Sequence, residues 1–214
     1  MEAALDYHDK QHQAMHPILL PPYALELGCG IGAASIALSY HLLQRRRLQG
    51  NTTIRSLSPL VVATDVAPQA LSLTVSNAYF NRVSTVLSTQ HMNFTNVQSI
   101  DNVMANVSGD DATDANGFAM VVGSSLQAGF ENLQDPASPL WTALHRLLDS
   151  HNPHALAVLV HNRSDRLMPP SDGSFVVSRR ISGDDFFMPT RTGDSSDFEI
   201  SVFHRRSSGE KTIN

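Results

Sequence analysis

The chain has 214 residues, enough for one domain with a sizeable hydrophobic core. Apolar residues make up 42% and charged residues 16%, a globular balance rather than a disordered one. A net charge of −5 argues against a general electrostatic grip on nucleic acid, and a single cysteine, Cys29, excludes an internal disulfide framework.

Residues 1–22 read as an N-terminal segment of modest helical character, closed by Pro21-Pro22, which stops a helix and launches extended chain. "YALELG" then reads as a buried strand, and "GAASIALSYHLLQRRR" as the helix after it, with cations at its C-terminal end that suit the helix dipole. After a polar connector, "LVVATD" (60–65) is a second buried strand ending in a carboxylate. "APQALSLTVSNAYFN" (67–81) follows as a helix, with Leu71, Val75, Ala78 and Tyr79 expected on its inner face. A weaker strand is expected within 85–94, and residues 99–117, acidic, polar and glycine-bearing, read as an exposed loop.

"FAMVVGS" (118–124) is a third strong strand, and "SPLWTALHRLLDS" (138–150) an apolar-striped helix that Asn152-Pro153 should end. "ALAVLVHN" (155–162) is a further buried strand; "SFVVSRR" and "DFEISVFHRR" (197–206) alternate apolar and polar residues, as antiparallel strands do. Residues 207–214 read as a disordered tail. Strands alternating with helices predict a single α/β domain over 23–206, a doubly wound, mostly parallel sheet with helices on both faces and a C-terminal antiparallel strand pair. Ligands in such sheets sit at the C-terminal ends of the strands.

Gly28, Gly30 and Gly32 fall in the turn after the first strand, behind Glu26, and Asp65 ends the second strand. A dinucleotide site wants Gly-x-Gly-x-x-Gly and an acidic residue about 20 positions on. The spacing here is Gly-x-Gly-x-Gly, and an acidic residue ahead of the first glycine is no part of that fingerprint. An NAD-type oxidoreductase is therefore disfavoured.

"LELGCGIGAASIAL" resembles the first motif of the class I, seven-stranded S-adenosylmethionine-dependent methyltransferases, and "VVATDVAPQALSLTVSNAYFN" resembles their second strand and helix. Within that class the chain is most similar to the branch of small protein-lysine methyltransferases, whose late helix, strand and arginine "SPLWTALHRLLDSHNPHALAVLVHNRS" also resembles. The resemblance implies a Rossmann-like fold, S-adenosylmethionine as cofactor and S-adenosylhomocysteine as product. It implies a cofactor set of Glu26, Leu27, Gly28, Cys29, Gly30, Gly32, Asp65, Val66, Asn93, Phe94 and Ser124. Glu26 would hold the ammonium end, Asp65 the ribose hydroxyls, Val66 would flank the adenine, and Asn93 would meet its amine beside Phe94.

It further implies a protein substrate, with lysine as the acceptor. The branch's Asp-x-x-Tyr signature aligns with Ser125, Leu126, Gln127 and Ala128, so both of its functional residues are absent. The 22 residues ahead of the first strand are also fewer than that branch carries there, so the segment reads as truncated. Catalytic residues are thus not assigned, and a catalytically impaired, cofactor-binding or protein-interaction module is the alternative. No metal site is expected: His8, His12 and His16 share a helical face without a carboxylate cluster to complete one. No run of about 18 apolar residues and no signal-peptide pattern occurs, so no membrane partner is expected and the compartment reads as cytoplasmic or nuclear. Oligomeric state is left open.

Overall fold

The computed structural model describes residues 24–48, 60–108, 117–124, 126, 135, 138–162, 167–182 and 198–206. The expectations for residues 1–22, for the connector 49–59, for the acidic run 109–116, for Ser125, Gln127 and Ala128, and for the tail 207–214 lie outside these residues.

The chain forms two compact units, Met1–Asn93 and Phe94–Asn214. The first runs β1 (Ala24–Leu27), α1 (Ala33–Leu48), β2 (Val61–Asp65), α2 (Pro68–Phe80) and β3 (Leu87–His91). The second runs α3 (Val97–Ser108), β4 (Met120–Ser124), α4 (Pro139–Leu147), β5 (Leu156–Asn162), β6 (Phe175–Ser182) and β7 (Phe198–Arg205). The strands make a seven-stranded sheet in the order β3-β2-β1-β4-β5-β7-β6. Pairs β1/β2, β2/β3 and β4/β5 are parallel, whereas β5/β7 and β7/β6 are antiparallel. The expected fold class, including the antiparallel end, is borne out.

Composition explains the strands. Val61, Val62 and Ala63 are fully buried, so β2 is covered on both faces and reads as a continuous apolar run rather than an alternating one. The same holds along β5, where Leu156 to Leu159 are all buried. In α4 the stripe Leu140, Trp141, Leu144 and Leu147 follows the helical period and is buried, with Trp141 packed against Phe175 and Phe203 at 5.4 and 5.0 Å between ring centres. Ser138 caps that helix by accepting the Leu140 N–H at 3.4 Å, and Pro139 suits its first position. The helix ends at Leu147, before the expected Asn152-Pro153 stop, because Leu148 turns extended and pairs with Phe118.

Two further expectations are corrected. Residues 97–108 are helix α3, not loop, with Ile100 and Val103 buried at i, i+3 spacing. The polar composition of 99–117 outweighed that period in the sequence. In α2 the inner face is Thr74 and Ala78; Val75 and Tyr79 are 52% and 72% exposed, and Leu71 is half-buried. Small side chains win there because α2 lies close to the glycine turn. A Cβ at Gly32 would stand 2.5 Å from Thr74 Cγ2, with φ at +80°, a region L side chains rarely adopt.

Gly32→Ala is therefore expected to cost about 2–4 kcal/mol, from backbone strain plus overpacking. Urea unfolding checks this. Adding Thr74→Ser removes the nearest atom and should restore part of the loss, while the strain at φ remains.

Candidate functional site

The turn between β1 and α1 carries Gly28, Gly30 and Gly32 at φ +63°, +54° and +80°. Its backbone is held from the end of β2. Cys29 N–H donates to Thr64 O at 2.8 Å, and the Thr64 hydroxyl donates to Glu26 O at 2.6 Å. Asp65 does more: Oδ2 accepts the Gly30 N–H at 2.9 Å and Oδ1 accepts the Ala67 N–H at 2.9 Å. One carboxylate thus joins the glycine turn to the chain entering α2.

Helix α2 secures the other side of the turn. Thr74 donates to Gly30 O at 3.1 Å and the Asn77 amide donates to Ile31 O at 2.9 Å. Sequence reading assigned neither of these roles. For Asn77 the pattern Asn77-x-x-x-Asn81 was a signal; for Thr74 there was none, since a threonine inside a helix carries no mark of its partner.

Glu26 lies in β1 and is 2% exposed. Its Oε2 accepts the Ser35 N–H at 2.8 Å and a very short bond from the Ser35 hydroxyl. Burial raises its pKa from 4.5 to about 7; the Ser35 bonds pull it down, and the charge of Asp65 adds to the rise. Ser35 escaped the sequence reading inside the small-residue run "GAAS". Cys29 is buried with its Sγ 3.4 Å from Thr74 Oγ1, and burial pushes its pKa up to about 11, so the thiol is no nucleophile at neutral pH.

Of the remaining expected residues, Leu27 is fully buried, Val66 is 53% exposed directly after β2, and Asn93 is half-buried two positions after β3. Phe94 and Ser124 belong to the second unit, where Ser124 ends β4 and both are half-buried. The structure therefore brings Glu26, Cys29, Gly30, Gly32 and Asp65 into one bonded cluster, with Gly28 in the same turn. The described residues hold no group of three metal-ligating side chains and no helix long and apolar enough to cross a membrane.

The cluster can hold a polar ligand against its backbone. A Cβ at Gly30 would meet nothing within 4 Å, so the surface there is open to an approaching molecule. A carboxylate has about four lone-pair sites, and the backbone bonds to Asp65 use two. The acceptor capacity left at Asp65 suits a pair of ligand hydroxyls, and Glu26 adds negative charge when it ionises. These residues fit the sugar and cationic end of S-adenosylmethionine.

No protein-family model and no curated protein matches the sequence. Solved structures do match. A TehB-like SAM-dependent methyltransferase from Corynebacterium glutamicum is 16% identical at a TM-score of 0.50, covering 93% of this chain and 87% of that one. The rRNA methyltransferase aviRa from Streptomyces viridochromogenes is 13% identical at 0.52, covering 92% and 82%. TrmN from Thermus thermophilus is 14% identical at 0.55, covering 96% of this chain and 48% of that one. At these identities the likeness is one of fold: the chain has the Rossmann-like, seven-stranded fold that these proteins share.

Proposed function

We propose that the chain binds S-adenosylmethionine at the Gly28–Gly32 turn and transfers its methyl group to a protein side chain, lysine. The observation that carries the cofactor reading is the Asp65 clamp beneath an open Gly30. A buried acid ahead of the turn and the fold of methyltransferases support it.

When bound, the cofactor supplies a methyl group already activated on a sulfonium, so the protein needs no nucleophile of its own. Its residues bind and orient. Asp65 accepts from the ribose hydroxyls, the Gly30 backbone lies against the methionine part, and Val66 covers the adenine. Glu26 balances the cationic end electrostatically, from beneath the turn. Alignment and exclusion of water account for the rate advantage. A lysine acceptor must also shed a proton. The resemblance of residues 138–164 to the protein-lysine branch supports that acceptor, and the net charge of −5 offers no broad grip on an RNA backbone.

Binding is tested by thermal unfolding. At about 100 times its dissociation constant, S-adenosylmethionine or S-adenosylhomocysteine should add roughly 2.7 kcal/mol and raise the midpoint by about 5–10 °C. No shift with either at millimolar concentration overturns the reading. Gly30→Ala places a methyl group where the cofactor would lie. It should cut affinity severely yet cost only about 1–2 kcal/mol of stability, because its Cβ meets no protein atom. Radiolabelled methyl transfer to cell extract then identifies the acceptor: a labelled protein band supports the proposal, labelled RNA replaces the acceptor, and no label makes the chain a binding module.

Glu26 gives the site a pH signature. Its folded pKa, about 7, lies above the ordinary carboxyl value of 4.5, so the folded state keeps a proton that the unfolded chain releases between those values. Stability is thus lost as pH rises through that window, by about 3 kcal/mol in all, and levels off above it. Urea unfolding of Glu26→Gln from pH 5 to 8 should lack this fall. Affinity for the cationic cofactor should run the other way, rising with pH through 7 in the unsubstituted protein and staying flat in the E26Q protein.

A further inference from the structure

A groove of about 330 Å³ opens in the second unit between α4 and the turn before β6, lined on one side by Thr142, His145 and Arg146 and on the other by Pro170 and Asp172. It lies at the end of the sheet where β5 begins. Phe175 on its wall pairs with Arg205, whose neighbour His204 pairs with Leu156, the first residue of β5. Ser124 pairs with Val160 at the opposite end of the same strand, so the groove is far from the strand ends where β4 delivers its last residue.

Its walls are preformed. Gly173 N–H bonds back to Pro170 O at 3.3 Å, Asp172 Oδ1 accepts the Ser174 N–H at 2.8 Å, and Ser174 O accepts the Arg206 N–H at 2.9 Å. On the α4 side, Arg205 donates to the carbonyls of His145 and Leu148 at 3.2 and 3.3 Å. Arg205 Nη2 also stands 3.2 Å from His145 Nε2. A guanidinium has no lone pair to offer, so Nε2 must accept and the ring proton sits on Nδ1. Burial first, then the Arg205 charge, holds His145 below its ordinary pKa despite Asp172, which keeps the ring in this neutral form.

The groove is therefore rich in donors. His145 offers Nδ1–H and Thr142 a hydroxyl. Arg146 gives one N–H to Asp101 at 2.7 Å and keeps the others. Trp141, 3% exposed beneath them, has an indole N–H with no partner among the described residues. A buried donor without an acceptor is costly, and it marks where an acceptor is wanted. The opposite wall carries one carboxylate, Asp172, already engaged by Ser174.

We propose that this groove binds the oxyanion group, carboxylate or phosphate, of a small ligand. His145 Nδ1, Arg146 and Thr142 donate to that group, while Asp172 accepts from a hydroxyl or ammonium elsewhere on the ligand and disfavours polyanions. The site is independent of the methyl-transfer reading and stands or falls without it.

Trp141 is the chain's one tryptophan, so its emission reports on the groove directly in the full chain. Inorganic phosphate and acetate are titrated separately, each against sodium chloride at equal ionic strength. A saturable change beyond that of chloride is expected with at least one, and which of the two produces it distinguishes phosphate from carboxylate. Arg146→Gln should weaken it roughly tenfold, the loss of one charge-assisted bond, and His145→Asn should weaken it too. Circular dichroism and the thermal midpoint verify that both variants fold. No change beyond chloride up to about 50 mM, where even a Kd of tens of millimolar would show, overturns the proposal. So does a change of equal size and midpoint in the folded R146Q and H145N proteins.

Discussion

The first unit is organised around a single carboxylate. Asp65 ends β2 with one oxygen on the Gly30 N–H and the other on the Ala67 N–H. Bonds from a charged acceptor are worth about 1.5–3 kcal/mol each, more than a neutral pair. Its position follows from the parallel register that sets Leu27 beside Thr64, which leaves the glycine turn and Asp65 emerging from the sheet together. Thr74 and Asn77 then take the carbonyls of Gly30 and Ile31. Both faces of the turn's peptide groups are thereby fixed before any ligand arrives, so little ordering cost would remain for binding.

Much of this was legible in the sequence, for physical reasons. "LVVATD" announces itself because a strand covered on both faces tolerates only apolar side chains until it reaches the sheet's end, where a carboxylate becomes admissible. The alternating glycines are legible because a turn with three positive φ values excludes almost every other residue. Of the inner face of α2, only Ala78 was. Hydrophobic periodicity points to Leu71, Val75 and Tyr79, yet the space above Gly32 admits only the volume of Thr74. Packing distance is a property of two elements together, and no pattern within one of them encodes it. Helix α3 was hidden differently: its asparagines and the acidic, glycine-bearing stretch that follows resemble a loop in composition, and the spacing of Ile100 and Val103 is what betrays it.

In the second unit a cation plays the organising part. Arg205, at the end of β7, satisfies carbonyls in the last turn of α4 and fixes the tautomer of His145. The helix leaves those carbonyls without internal partners, and its dipole favours a positive charge there. Nothing local to α4 supplies this group: it comes from 57 to 60 positions downstream, so no pattern around His145 announces it. Elsewhere in the unit Arg180 on β6 and Glu199 on β7 pair at 2.7 Å, with Ser201 passing the contact on to buried His161 of β5. The three antiparallel strands thus share one polar thread as well as their backbone ladder.

Glu26 is the residue that stability alone does not explain. A carboxyl buried to 2% exposure with serine as its bonded partner costs free energy whenever it ionises, and the nearby charge of Asp65 makes the cost greater. A glutamine there would accept the same Ser35 bond without that penalty. What an acid offers instead is a charge held in reserve: with its pKa raised to about 7, the group keeps its proton in the bare turn below that pH, and a cation at the turn would favour its ionised form. A phosphate would instead be repelled by such a pair once Glu26 ionises. Two acids around one glycine turn would thus favour a cationic ligand, which accords with the proposed S-adenosylmethionine.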